Sequence, residues 1–326
     1  RGKRRARMKR TPTIIGIGYC GMDYLCVLPH IPLDDKVEIV ESLIQGGGPA
    51  ITAIVAAARL GADTAFFGVV GADERGAQIV RGIAAEGIDT AGVKVRKNTE
   101  SPAGFCWIDQ QSGKRSIAWT RGTARPLTPR ELCRDQIRAC DLLHLDGHQT
   151  QAALAAAAVA RKHGVCVSID AGTLVPGIDA LLALSDIVIA SEPFAARYTG
   201  SRSPETAVRR LFAAGRRFAG VTLGKHGSIG FDGTRILHCP PFEVPRVVDT
   251  TGAGDTYHGA FAFAAAQGRP WDACMRFATV VAALKCTRLG GRTGIPDLRT
   301  AERHLKDFAN TRCDAPRTRA VRHQKA

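Results

Sequence analysis

The sequence predicts an α/β protein: a mostly parallel sheet covered by helices on both faces, with a small β appendage. Three observations carry that expectation. Short runs rich in β-branched residues alternate with Ala-rich runs from Thr11 almost to the end. The short runs are apolar throughout, as strands buried on both faces must be. Two further segments break the rhythm with alternating polarity, the pattern of strands wet on one face.

Strands are expected at Thr13–Gly18, Ala65–Val70, Leu142–Leu145, Val165–Ile169, Ile187–Ala190 and Gly220–Leu223. Helices fall between them. Pro49 opens one that Gly61 closes, Asp73 caps another ending near Gly87, and Thr150 precedes a third ending at Gly164. The interruptions are Lys36–Leu43, which alternates charged and apolar residues, and Ala103–Asp109 with Arg115–Trp119 around Gln111-Ser112-Gly113-Lys114, a hairpin signal. They read as one discontinuous lid, at about 33–45 and 101–121. A last helix is expected at Leu298–Phe308. The organisation is then a basic tail at 1–11, one domain at 12–310 and a second basic tail at 311–326.

Composition limits the classes. The 326 residues are 45% hydrophobic and 23% charged, which excludes disordered and collagenous chains. Arg1 to Arg10 hold seven basic residues and no acid, and Thr311 to Ala326 hold five Lys/Arg against one Asp. The tails therefore carry +11 of the net +15, leaving a body of about +4. No specific nucleic-acid partner is expected from so neutral a body. The ten cysteines are scattered, with no C-x-x-C, as buried thiols in a reducing cytoplasm are. The longest apolar run, Ala152 to Ala160, has nine residues and cannot span a bilayer, so no membrane partner is expected.

Three glycine motifs follow. Gly16-Ile17-Gly18-Tyr19-Cys20-Gly21 fits G-x-G-x-x-G, yet the dinucleotide fingerprint needs a helix straight after its third glycine. Here Met22 to Leu28 is rich in strand formers and Pro29 and Pro32 follow, so the motif reads as a turn at the sheet edge. Gly46-Gly47-Gly48-Pro49-Ala50 permits close backbone approach and leads into a helix. Asp249-Thr250-Thr251-Gly252-Ala253-Gly254-Asp255 is the most informative. Gly252, Ala253 and Gly254 leave N–H groups free at a helix N-terminus, where the partial positive charge attracts phosphate oxygens. The ordinary alternative is that Asp255 simply caps that helix. A carboxylate among anion-binding donors makes chemical sense if it must touch the group that attacks the phosphate, which is a general base's position.

These two segments resemble the two signatures of the PfkB/ribokinase carbohydrate kinases, over roughly residues 12–310. Thr222-Leu223-Gly224-Lys225-His226-Gly227 is similar to the family's nucleotide-binding turn, and Asp23 to its sugar-hydroxyl acid. The resemblance implies a ribokinase-like fold, three layers around a doubly wound, mostly parallel sheet, with a β lid. It implies Asp255 as catalytic base, with the N–H groups of Gly252 to Asp255 as anion hole. Asp23, Gly47 and Gly48 would meet the sugar, and Thr222, Gly224 and Gly227 the nucleotide. The implied cofactors are ATP and Mg2+, with a monovalent cation such as K+ near Asp249, Thr251 and the Gly290-Gly291 backbone.

Departures from the family pattern direct attention to the substrate. Where the family commonly has Asn-x-x-Glu near magnesium, this chain has Ser191-Glu192-Pro193-Phe194, leaving Glu192 as the substitute. Ile51 follows the glycine run where many sugar kinases carry Asn. Ala283–Arg288, with Gly290-Gly291-Arg292 and Gly294–Asp297, look closest to the sulfofructose kinase branch. Lys36 aligns there with one sulfonate-gripping position, while the other two hold Trp119 and His148 in place of Asn and Arg, which implies a close relative with a different substrate. His148 also follows a strand's C-terminal end, where α/β sites form. The expected activity is ATP-dependent phosphorylation of a primary hydroxyl of a furanose-forming sugar or derivative. The alternatives are a sulfofructose or nucleoside kinase of the same fold, or a non-enzymatic nucleic-acid-binding or regulatory protein using the tails. A homodimer through the lid is the expected assembly.

Overall fold

The computed structural model describes residues 10–111, 115–213 and 215–308. Nearly all of both basic tails and the hairpin turn at Ser112–Lys114 lie outside these described residues. The first part comprises β1 (Thr13–Ile17), β2 (Gly21–Leu28), β3 (Glu41–Gly47), α1 (Pro49–Arg59), β4 (Asp63–Gly71), α2 (Glu74–Ala85) and β5 (Val93–Arg96). A hairpin, β6 (Ala103–Asp109) and β7 (Arg115–Thr120), follows. Next come α3 (Arg134–Ala139), β8 (Leu142–Leu145), α4 (Thr150–Lys162), β9 (Cys166–Ala171), α5 (Ile178–Leu184), β10 (Ile187–Ser191), α6 (Glu192–Thr199), α7 (Pro204–Leu211) and β11 (Phe218–Thr222). The chain continues through β12 (Ser228–Phe231), β13 (Ile236–Cys239), α8 (Ala253–Ala266), α9 (Trp271–Lys285) and α10 (Leu298–Phe308).

The main sheet runs β13-β12-β11-β10-β9-β8-β1-β4-β5, parallel except for β12 and β13. One face is packed by apolar residues of α1, α2, α8, α9 and α10, the other by those of α4 to α7. This is the three-layer, doubly wound architecture. Because β1, β4, β8, β9, β10 and β11 are parallel, their carboxyl ends share one edge, where open α/β sheets form their binding crevice.

The second sheet, β3-β2-β6-β7, rises from that edge. Its make-up differs from the sequence reading in two ways. First, β2 belongs to it, so the lid draws on three segments rather than two. Gly16–Gly21 is accordingly the turn by which the chain leaves the main sheet for the small one, with a strand where a dinucleotide site needs a helix. Second, β3 starts at Glu41, whereas alternation suggested Lys36. The reason is pairing: Glu41 stands opposite Val27, and beyond Leu28 the prolines at 29 and 32 end the partner strand. Gly46 and Gly47 therefore finish a strand, and Gly48 alone makes the turn into α1.

The inner face of the small sheet buries Leu25, Cys106 and Ile108 against Leu289. Its outer face leaves Ile44, Phe105 and Trp107 exposed, with Phe105 stacked on Tyr24 at 5.1 Å between ring centroids. No described helix is long and apolar enough to cross a membrane.

Candidate active site

The site is built where α8 begins. Gly252 is its N-cap, at φ 72°, and no side chain caps the helix. Only glycine suits this position, because φ is in the left-handed region and a Cβ would come within 2.6 Å of the Gly291 carbonyl oxygen. Asp255 stands in the first turn, so the ordinary capping role does not apply to it. The expected anion hole is also narrower than the sequence suggested. Ala253 N donates to Thr250 O at 3.2 Å, which leaves the N–H groups of Gly252, Gly254 and Asp255 without an internal acceptor among the described residues.

Asp255 is half-buried, and its proton affinity is raised. Burial is the largest cause, followed by the Asp170 and Asp146 carboxylates, while Arg115 and Lys285 act the other way. A carboxyl held above its usual range is better matched to taking a proton near neutrality.

The loop before α8 is fastened by Asp249, which is 2% exposed. Its Oδ1 accepts from Thr251 N at 2.8 Å and its Oδ2 from Gly290 N at 2.9 Å. Its carbonyl oxygen accepts from Lys285 Nζ at 2.9 Å. The Thr251 hydroxyl is buried beside the Cys106 thiol, with no hydrogen-bond partner of ordinary geometry among the described residues. From the small sheet, Arg115 Nη1 donates to Thr250 Oγ1 at 2.6 Å.

Facing this loop is the root of the small sheet. Asp23 is paired across β2 with Gln45 and Gly104, and its carboxylate fills the space over two glycines. A Cβ at Gly47 would overlap it, and one at Gly104 would come within 2.7 Å of Oδ1. Burial lifts the Asp23 carboxyl to about 6, with Arg292 opposing and Asp255 adding to the rise. The Asp255 charge is thus felt at Asp23 across the site. Gly48, at φ 116°, is the N-cap of α1 and has Pro49 behind it.

A second tier supports these groups. Asp146, at the end of β8, is 3% exposed and accepts from Tyr19 N at 2.8 Å, Ala50 N at 3.2 Å and His148 N at 2.9 Å. One carboxylate therefore joins the turn after β1, the start of α1 and the turn after β8. Beside it Asp170 meets His258 Nε2 at 3.3 Å, and the His144 ring is 5.9 Å from that of His258. Burial holds both imidazoles down at about 3, so they are neutral.

At the outer end His148 Nδ1 is 3.2 Å from Arg121 Nη1, and the Arg121 guanidinium covers the Trp119 ring at 4.9 Å. Tyr19 contacts both rings. A cavity of about 290 Å³ opens here, with Tyr19, Arg121 and His148 in its wall. Lys36 is exposed in the stretch before β3, and among the described residues it makes no side-chain bond to Asp23 or Asp255.

The residues expected to meet a nucleotide lie at the ends of neighbouring strands. Ser191 of β10 pairs with Thr222 of β11, which brings Glu192 and the turn after β11 side by side. Gly224 and Gly227 turn the chain at φ 55° and 85°. Glu192 is exposed at the first position of α6.

Residues 14–298 match the model of the pfkB family of carbohydrate kinases. The chain belongs to that family. This pfkB-family kinase is 28% identical over 299 residues to the ribokinase of Haemophilus influenzae, covering 89% of this chain and 96% of the relative. Among solved structures it is similar to a putative ribokinase from Agrobacterium tumefaciens, with 30% identity and a TM-score of 0.84, covering 93% of this chain and all of the other. It is also similar to Arabidopsis thaliana ribokinase complexed with ribose and ATP, with 25% identity and a TM-score of 0.80, covering 91% and 99% of the two chains.

Sequence reasoning missed several groups in the pfkB-family kinase. Asp146 and Asp170 sit at strand ends, a positional signal that was available. Arg292 was seen only as part of a resemblance. It is 6% exposed, its Nε is 3.3 Å from Thr52 Oγ1, and its Nη1 lies 2.7 Å from where a Gly46 Cβ would be. It comes from a loop some 270 residues away in the sequence from Asp23, so only the fold reveals their proximity.

Proposed function

We propose that this kinase transfers the γ-phosphoryl group of ATP to a primary hydroxyl of a furanose-forming sugar or sugar derivative. The observation that carries the reading is the position of Asp255. It stands at the first turn of α8, among unclaimed N–H groups and opposite Asp23, with its proton affinity raised.

Asp23, Gly47 and Gly48 orient the sugar so that its hydroxyl meets the Asp255 carboxylate. Asp255 accepts the hydroxyl proton as the oxygen attacks the γ-phosphorus. The bond to the bridging oxygen breaks and ADP leaves, giving a sugar phosphate and a protonated Asp255. The N–H groups of Gly252, Gly254 and Asp255 receive the charge on the transferring group, positioned in advance of the reaction. Thr222, Gly224 and Gly227 bound the nucleotide.

Magnesium, entering with ATP, would supply neutralisation of phosphate charge. No described group of three His, Cys, Asp or Glu is arranged to hold a metal. Glu192, exposed at the start of α6, is the carboxylate that would face such an ion.

The small sheet excludes water as a lid. A second copy of this chain, meeting the outer face of that sheet at Ile44, Phe105 and Trp107, is the assembly we favour, and a monomer by light scattering would remove it. The neutral body and free thiols fit a cytoplasmic protein without a specific nucleic-acid or membrane partner. A nucleoside kinase is the second reading, favoured by the half-exposed Trp119 beside Tyr19 and His148, a surface on which a base can stack.

Magnesium-dependent ADP release tests these readings. The panel is fructose, ribose, tagatose, a ketodeoxy sugar acid, fructose 6-phosphate, sulfofructose and adenosine. A sugar should respond, and Asp255→Asn should lower its turnover by about 10²–10⁴-fold with ATP binding retained. Response to adenosine alone favours the nucleoside reading. Undiminished turnover in Asp255→Asn removes the base.

A further inference from the structure

The family resemblance implies a monovalent cation at Asp249, Thr251 and the backbone near Gly290-Gly291, but the residues there do not fit one. Each Asp249 carboxylate oxygen accepts one backbone N–H, from Thr251 and Gly290, and the Thr251 hydroxyl has no partner of ordinary geometry among the described residues. What excludes the ion is therefore the charge already present rather than a lack of oxygens. The Asp249 carbonyl oxygen is claimed by Lys285 Nζ at 2.9 Å. Lys285 is the last residue of α9 and is 0% exposed. A K+ ion sharing that carbonyl would face an ammonium in a poorly screened interior, where like charges repel strongly.

A lysine this deeply buried is rare unless its charge is answered. Burial, and Arg115 to a smaller degree, lower the proton affinity of Lys285; the Asp249 carbonyl, the acidic side chains of Asp249 and Asp255, and the negative end of α9 answer its charge. The ammonium stands behind the loop that carries the unclaimed N–H groups. We propose that Lys285 takes the place of the monovalent cation, as a tethered positive charge that fixes the Asp249 loop and makes the kinase independent of K+. Lys285 is a positioning residue, since it acts through Asp249 and touches no reacting atom. The proposal rests on the kinase reading above for its activity test, and on binding alone for its second test.

The experiment compares K+, NH4+, Na+ and tetramethylammonium at equal ionic strength, for the unaltered chain, Lys285→Met and Lys285→Arg. Expected for the unaltered chain is ADP release within twofold in all four salts, and a melting temperature that K+ does not raise beyond the tetramethylammonium value. Lys285→Met should be at least tenfold slower in tetramethylammonium and recover at least fivefold in K+ or NH4+, with a melting temperature that K+ raises. Lys285→Arg, which keeps the charge, should stay K+-independent. A tenfold loss in the unaltered chain without K+ overturns the proposal, as does a folded Lys285→Met indifferent to every cation. If Lys285→Met does not fold, the salt comparison on the unaltered chain decides. If no substrate releases ADP in any salt the kinase reading fails, and the melting comparison still decides the role of Lys285.

Discussion

The carboxylate of Asp23 occupies the space in which Gly47 would carry a side chain. The relationship follows from register: Gly47 stands opposite Gly21 across β2 and β3, two residues along from Asp23, on the same face of the small sheet. Gly47→Ala must therefore push Asp23 out of place. Steady-state kinetics should show a sugar KM raised by roughly tenfold or more, because displacing a charged hydrogen-bonding group costs ~1.5 kcal/mol or above. ATP KM should hardly move. An unchanged sugar KM would separate Asp23 from sugar binding.

The two facing carboxyls make activity and stability respond to pH in opposite senses. Asp23 rises from 3.8 to about 6 on folding, and Asp255 shifts the same way. Between pH 4 and 6 these two groups bind more protons folded than unfolded, so their own contribution to stability grows as pH falls. It works against the opposite contribution of Glu131, Asp73 and Asp232, whose carboxyls are held low. Catalysis needs both groups ionised, so kcat/KM falls over the same range. Asp23→Asn should flatten part of the stability dependence, measured by urea melts at pH 5 and pH 7. Stability that falls from pH 7 to pH 5 in the unaltered chain, and not in Asp23→Asn, would contradict the assignment.

Asp146 makes a structural prediction. Its replacement by Ala leaves the N–H groups of Tyr19, Ala50 and His148 without their acceptor, and unsatisfied buried donors cost about 1–3 kcal/mol each. Part of that is recovered by water at the half-buried Tyr19 and His148. A loss of roughly 3–5 kcal/mol in urea unfolding is expected, with turnover reduced because both sugar-side turns loosen. A loss below 1 kcal/mol would mean the three segments are held otherwise.

Much of the main sheet was legible in the sequence because parallel, doubly covered strands are apolar without alternation. Leu142–Leu145 and Leu298–Phe308 coincide with their elements, and β11 differs from the expected span by one or two residues at each end. The small sheet was harder. Alternation marks a half-wet strand only where a partner continues, and Lys36–Val40 alternates beyond the end of β2. Asp255, Asp249 and the glycines were legible because chemistry concentrates them in one short segment. Asp146 and Asp170 carried only the weak signal of a strand end, and Arg292 and Lys285 none of their own, since their partners are brought to them by the fold. Lys36 was suggested by alignment alone, and the structure leaves it in solvent before β3.

The last prediction concerns Arg115, which joins the small sheet to the loop before α8. It stands on β7, the edge strand of the small sheet, opposite Ile108, and reaches Thr250 Oγ1 at 2.6 Å. Its positive charge also lowers the proton affinity of Asp255. Arg115→Gln removes the charge and weakens the latch. The acid limb of the kcat/KM profile should then move to higher pH, and kcat should fall by roughly tenfold, the size of a lost charged hydrogen bond. Arg115→Lys keeps the charge without the fork geometry. Its acid limb should stay where it was, while the kcat loss remains, because a lysine ammonium does not reproduce the guanidinium's fixed reach to Thr250. Measuring both profiles separates the electrostatic role from the mechanical one. Identical profiles for all three proteins would detach Arg115 from the site, and an acid limb moved equally in both variants would leave geometry as its sole contribution.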